Sequence, residues 1–178
     1  DVVSAASTGK SYTRYGLTVG GDVSGFDFKG TYAGMTGKQR TPNANDDIKV
    51  TASMFDLAAG YTLADVMNMR FGAVYHMDSG DDDTDAKTAN TYDPFHYNKH
   101  DYSGKMDIIG WGNLTYVGGN FEITPMEKTT FGLEYLMFTR SSTKSALSNS
   151  TLTAAGTNDK SAVGSELDIW ASHKYSDA

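Results

Sequence analysis

The sequence predicts an all-β protein, an antiparallel transmembrane up-and-down β-barrel, and three observations carry that reading. Apolar residues recur with a period of two rather than 3.6 in at least six segments. The connections between those segments alternate between tight turns and long polar stretches, an asymmetry that outer-membrane barrels show. The apolar faces often carry Tyr near a strand end (Tyr15, Tyr32, Tyr61, Tyr75, Tyr135), where interfacial girdles place amphipathic rings.

The first hairpin sets Tyr15, Leu17 and Val19 against Arg14, Gly16 and Thr18, turns at Gly21 to Gly25, and continues with Phe26, Phe28 and Tyr32 alternating with Asp27, Lys29 and Thr31. A second places Phe55, Leu57 and Tyr61 on one face and Met54, Asp56 and Ala58 on the other. A short turn near Leu63 to Val66 then leads into Met69, Phe71, Ala73, Tyr75 and Met77, which alternate with Arg70, Val74, His76 and Asp78. Later, Phe131, Leu133, Tyr135 and Met137 oppose Glu134, Phe138 and Arg140. Near the end, Leu167, Ile169 and Ala171 oppose Glu166, Asp168 and Trp170. A weaker strand is expected from about Asp107 to Val117, blurred by Gly110, Gly112 and Gly118. About seven strands result, in a single domain over 1–178 with long external loops at about 37–47, 79–106 and 141–162. The connection from Gly118 to Lys128, with Pro125, is intermediate in length and falls on the periplasmic side by parity.

Composition fits this reading without appearing to. The 178 residues carry a formal charge of −7, no cysteine and a mean hydropathy of −0.44, which describes an acidic soluble protein as readily. Yet 19 Gly, 11 Tyr and 8 Phe with only 3 Pro suit many strands joined by tight turns. No apolar run reaches the ~18 residues a transmembrane helix needs, whereas a barrel strand needs only about 9–11 with every second one apolar. The absence of cysteine fits an exported bacterial protein. No charged stretch followed by an apolar one opens the chain, so a signal peptide is expected to have been removed or to lie upstream.

A soluble lipocalin-like carrier is the alternative, since turning the aromatics inward produces the same alternation. Strands of about 10 residues, against the usual 5–6 of globular sheets, favour the membrane, as do the tyrosine positions and an opposite face that mixes both signs of charge with glycine.

The stretch Tyr92-Asp93-Pro94-Phe95-His96-Tyr97-Asn98-Lys99-His100, and the following Gly104-Lys105-Met106-Asp107-Ile108-Ile109-Gly110-Trp111-Gly112-Asn113-Leu114, resemble segments of the alginate-export family of outer-membrane channels. Gly164-Ser165-Glu166-Leu167-Asp168 is similar to that family's late-strand pattern. The resemblance covers roughly the second half of the chain, and the first half matches in style. It implies the outer membrane of a Gram-negative bacterium, with lipid and lipopolysaccharide around the wall. It also implies a larger single-chain barrel of which these residues are a C-terminal-side portion. An odd number of strands with two free edges agrees with that, and the natural protein is expected to be considerably heavier than 19.2 kDa.

The expected pore-lining residues are Arg14, Lys29, Asp56, Arg70, Glu134, Arg140, Glu166 and Asp168. A polyuronate conduit would line its constriction with Arg and Lys. Here Arg14, Lys29, Arg70, Arg140 and Lys174 stand against Asp27, Asp56, Asp78, Glu134, Glu166 and Asp168, and the two signs nearly cancel. That describes a general, weakly selective porin interior or an occluded one, and the expected function is an outer-membrane porin or channel for passive passage or export of small polar or saccharide solutes. The loop holding Tyr92, Phe95, His96 and His100 is expected to fold into the lumen. A plugged barrel with a structural or partner-binding role is the second reading.

Other chemistry finds little support in these residues. The acidic run Gly80-Asp81-Asp82-Asp83-Thr84-Asp85 departs from a calcium loop, with Ala86 where the turn needs Gly and Tyr92 where a bidentate Glu belongs, and reads as a solvated loop tip. His96 and His100 have zinc-compatible spacing only on a helix, which Pro94 and three aromatics oppose. Neither a metal nor a cofactor is expected. Without Cys or a G-x-S-x-G elbow, and with His76 and His173 lacking a serine partner, no catalytic residues and no enzyme are expected. Without a basic stripe, nucleic acid is not an expected partner.

Overall fold

A computed structural model describes residues 9–40, 47–82, 87–94, 103–148 and 160–175. Seven long strands form one antiparallel sheet: β1 (Lys10–Val23), β2 (Phe26–Arg40), β3 (Asp47–Leu63), β4 (Met69–Asp78), β6 (Leu114–Met126), β7 (Thr129–Arg140) and β8 (Ala162–His173). The two-residue β5 (Thr88–Ala89) pairs in parallel with β3 at Lys49 and Val50. Each long strand lies beside its neighbour in sequence, in the order β1-β2-β3-β4-β6-β7-β8, which is the up-and-down arrangement. β1 and β8 are the two edges, so the sheet is not closed among the described residues. In hydrocarbon each open edge needs a further strand, because unpaired backbone groups there cost several kcal/mol each.

One expected strand is misplaced. Residues 107–113 are not a strand, because Asp107, Gly112 and Asn113 adopt left-handed backbone (φ 57°, 119° and 66°), which breaks an extended run. The strand begins at Leu114 and continues through the segment expected to be a connection, with Val117, Gly119, Phe121 and Ile123 on one face and Gly118, Asn120 and Glu122 on the other. Two adjacent glycines hide this alternation. Gly118 has a packing reason, since a Cβ there would meet the backbone of Tyr135 and the side chain of Leu136. Pro125 is tolerated past a register shift between Ile123 and Met126, where a missing N–H removes no ladder bond.

The connection from β6 to β7 is therefore the two residues Glu127 and Lys128, and all three turns at that end are short. At the first of them, Ser24 and Gly25 both have positive φ (52° and 82°), as a two-residue hairpin turn requires. The strands also run further than expected at the opposite end. β2 continues through Gly37 to Arg40 and β3 starts at Asp47, so both ends of the loop expected at 37–47 are strand, and residues 41–46 lie outside the described residues.

The large hydrophobics of the expected lipid face are exposed in every long strand: Leu17, Phe28, Leu57, Phe71, Leu133 and Ile169 among them, the last at 75 %. The register aligns them into rows across the sheet. One runs Leu17, Tyr32, Phe55, Met77; another runs Phe26, Tyr61, Phe71, Phe121, Leu133, Ile169. On β3 the outward apolar stretch extends from Phe55 to Leu63, nine residues, and then gives way to Ser53, Thr51, Lys49 and Asp47. That matches the 9–11 residues needed to cross a bilayer. The tight-turn half of the sheet thus carries the apolar band, and the half bearing the long connections rises beyond it. No helix among the described residues is long and apolar enough to cross a membrane.

Candidate functional site: the inner wall and its strap

All eight of the expected lining residues project from the face opposite the apolar band, and their surroundings differ. Arg70 crosses the wall flat. Its guanidinium bonds Asp27 at 2.7 and 3.0 Å and Asn120 at 2.8 Å, linking β2, β4 and β6. Gly60 and Gly72 make this possible, because a Cβ at either would collide with the guanidinium. Replacing Arg70 by Ala is expected to lower stability by about 1 kcal/mol, a partly exposed ion pair's worth. Chemical unfolding in lipid checks this.

At the long-connection end the wall is covered. Residues 103–114 form a strap across the inner face, held at three points. At one end the Met106 N–H donates to Glu166 of β8 (2.9 Å), and the Glu166 carboxylate fills the space a side chain at Gly104 would need. At the other end both carboxylate oxygens of fully buried Asp78 are used. Oδ1 accepts from Leu114 N–H (2.7 Å), and Oδ2 accepts from Gly112 N–H (2.9 Å) and lies 3.1 Å from His76 Nε2. The third point is Asn113, also fully buried. Its amide donates to the carbonyls of Ser142 and Ser145 (2.9 and 2.8 Å) and accepts from Ser142 N–H (2.6 Å), stitching the strap to the loop that follows β7.

His76 lies beneath the strap with its other nitrogen 3.1 Å from Asp56 Oδ2. Its ring is stacked between Trp111 of the strap (centroids 4.3 Å) and Tyr116 of β6 (4.8 Å). Two carboxylates at its two nitrogens are both satisfied when each nitrogen carries a hydrogen. Around it, Met35, Val50, Met54, Leu114, Leu136 and Phe138 complete a buried apolar cluster. The strap is thus docked by packing and by polar bonds from its Met106, Gly112 and Leu114 N–H groups.

Other expected lumen charges serve the loops. Arg140, 5 % exposed, donates to the carbonyls of Thr143 and Ser145 (both 3.2 Å) and to that of Lys160, gathering the chain after β7. At this inward-facing position it clamps the loop after β7. Arg14 donates to the carbonyl of Asp93 (3.2 and 3.3 Å), and Lys10 pairs with the Asp93 carboxylate (3.3 Å). Tyr92 is buried beside them, and burial raises its phenol above the ordinary tyrosine range. Phe95, His96 and His100 lie outside the described residues.

Below the strap the wall stays open. Lys29, Asp56, Gly104, Tyr116 and Glu134 line one recess, and a second, of about 260 Å³, is lined by Lys105, Asn120, Glu122, Glu134, Asp168 and Trp170. Sequence reasoning missed Asp78, Asn113 and Trp111 as the strap's anchors. The signal was present in part, since Gly112-Asn113-Leu114 stood out as a family segment without a stated mechanical role.

An open antiparallel wall, apolar outside, polar inside and partly covered by a docked strap, defines part of an outer-membrane β-barrel channel. The chain belongs to the alginate export family, whose match spans residues 4–178 and so includes the first half as well as the second. That family is one of outer-membrane export channels of Gram-negative bacteria. No individually curated protein matches the chain.

Proposed function

We infer that this wall belongs to a passive channel for small polar or saccharide solutes, narrowed at its long-connection end by the 103–114 strap. The observation that carries this reading is the gradient along the inner face. Polar side chains line its tight-turn part, and a packed strap covers it from the Glu166 and His76 rows toward the long connections. The tight turns face the periplasm and the long connections face outward, as in barrels of this architecture. Arg14, Lys29, Asp56, Arg70, Glu134, Glu166 and Asp168 supply the charges of the wall, with Arg14 and Glu166 engaged by the loops.

Planar-bilayer recording tests this directly. A channel gives discrete conductance steps, whereas a plugged, structural barrel gives none. Carboxylates at the constriction favour cations. Neutralising Glu134 and Asp168 together (Glu134→Gln with Asp168→Asn) is therefore expected to shift the reversal potential toward lower cation preference. The shift should be larger at low salt, where the Debye length is longer. An unchanged reversal potential in a conducting channel places the path elsewhere.

A further inference from the structure

We propose that the inner wall carries a binding subsite for a sugar ring that is neutral or bears an amine, built around Trp170 at bilayer depth. This rests on the channel reading and names the solute class that the wall recognises. Trp170 sits on the inner face of β8, and its indole lies across Gly132 of β7. Any Cβ at position 132 would collide with the ring atoms, so the glycine lets the aromatic plane lie along the wall, where one face is available to a ligand. Beside it the register brings Asn120, Glu134 and Asp168 into one row across β6, β7 and β8. Glu122 stands in the adjacent row, opposite Gly132. Lys105 reaches in from the strap to complete a recess of about 260 Å³, somewhat smaller than the pockets that take drug-sized ligands. The row lies between the outward positions Gly119 and Phe121, inside the apolar band, so a permeating solute meets it at mid-membrane.

The chemistry selects a saccharide. An aromatic face takes the C–H side of a sugar ring, while carboxylates accept hydrogen bonds from its hydroxyls, and an amide both accepts and donates. The charge selects which saccharide. Three carboxylates against the Lys105 ammonium, with the Arg70 guanidinium behind Asn120 already paired with Asp27, repel a uronate and attract an amine, and an indole face adds cation–π attraction to it. This part of the wall is unsuited to a polyanionic sugar.

Tryptophan emission of the detergent-solubilised protein, titrated with maltotriose, a glucosamine trimer and a uronic-acid trimer, tests the proposal without requiring current. The neutral and amine-bearing trimers are expected to give saturable changes, and the uronate none. Trp170→Phe should abolish the response while Trp111→Phe retains it. Glu134→Gln with Asp168→Asn should weaken the glucosamine trimer at least tenfold and maltotriose less. A uronate response as strong as the others, or a response surviving in Trp170→Phe, overturns the subsite. Conductance steps without any saturable emission change overturn the subsite and leave the channel standing. Saturable binding without conductance retains the subsite and removes the channel.

Discussion

Replacing Asp78 by Ala is expected to undock the strap. The carboxylate accepts from Gly112 N–H and Leu114 N–H and contacts His76, all at a fully buried position. Removing it strands both backbone donors and leaves His76 with Asp56 alone. Each buried donor left unpaired costs about 1–3 kcal/mol. The loss falls on the strap and not on the ladders of the sheet, so the wall should survive while residues 103–114 lift from it. Single-channel conductance should rise, and limited proteolysis should cut the strap faster than in wild type. Asp78→Asn should be milder in conductance, since one oxygen remains. It still sets an amide NH2 against one of the two backbone donors, which then have a single carbonyl oxygen between them. Unchanged conductance and unchanged cleavage in Asp78→Ala would mean that the strap is held by its aromatic packing, Asn113 and Glu166 without Asp78.

The second large effect concerns the outer face. Ala73 lies in the middle row of the apolar band, aligned with Phe28, Ala59, Gly119, Tyr135 and Leu167. An arginine at the bilayer midplane costs about 2–4 kcal/mol, falling to about 0–1 near the interfaces. Ala73→Arg is expected in the upper range and Phe71→Arg, one row nearer the tight turns, somewhat below it. Thr51→Arg projects outward beyond the band and is expected in the lower range. Unfolding of the three variants in lipid vesicles measures the gradient. Equal costs at 51 and 73 would mean that depth in a bilayer does not set them.

How far the chain could be read in advance follows from the range of the signals. Alternation is written residue by residue, so six of the seven long strands and the division of each into an apolar and a polar face were legible, down to Phe71 on the one and Arg70 on the other. β6 was misread because its evidence is Gly118-Gly119, which carry no side chain to show a face, followed by Pro125. The reason for those glycines lies on β7, in Tyr135 and Leu136, and no local window contains it. The strap was illegible for the same reason. Asp78 reads as one more lumen carboxylate at the end of a strand. Only the chain's return, 34 and 36 residues later, brings Gly112 and Leu114 to it. Arg140 likewise reads as one more inward charge, and its bonds to the carbonyls of Thr143, Ser145 and Lys160 depend on how the chain after β7 returns. Trp170 was placed on its inward face, but its platform over Gly132 depends on a cross-strand partner that only the register supplies.

The membrane-crossing alternation of this wall is tested most directly by site-by-site labelling, which a chain without cysteine permits. Single variants Leu57→Cys, Phe71→Cys and Leu133→Cys, and Lys29→Cys, Arg70→Cys and Glu134→Cys, are reconstituted in lipid and exposed to a lipid-soluble and a water-soluble thiol reagent. The first three should react with the lipid-soluble reagent alone, and the last three with the water-soluble one. The reverse pattern would contradict the account, turning the aromatic face inward as in a soluble carrier.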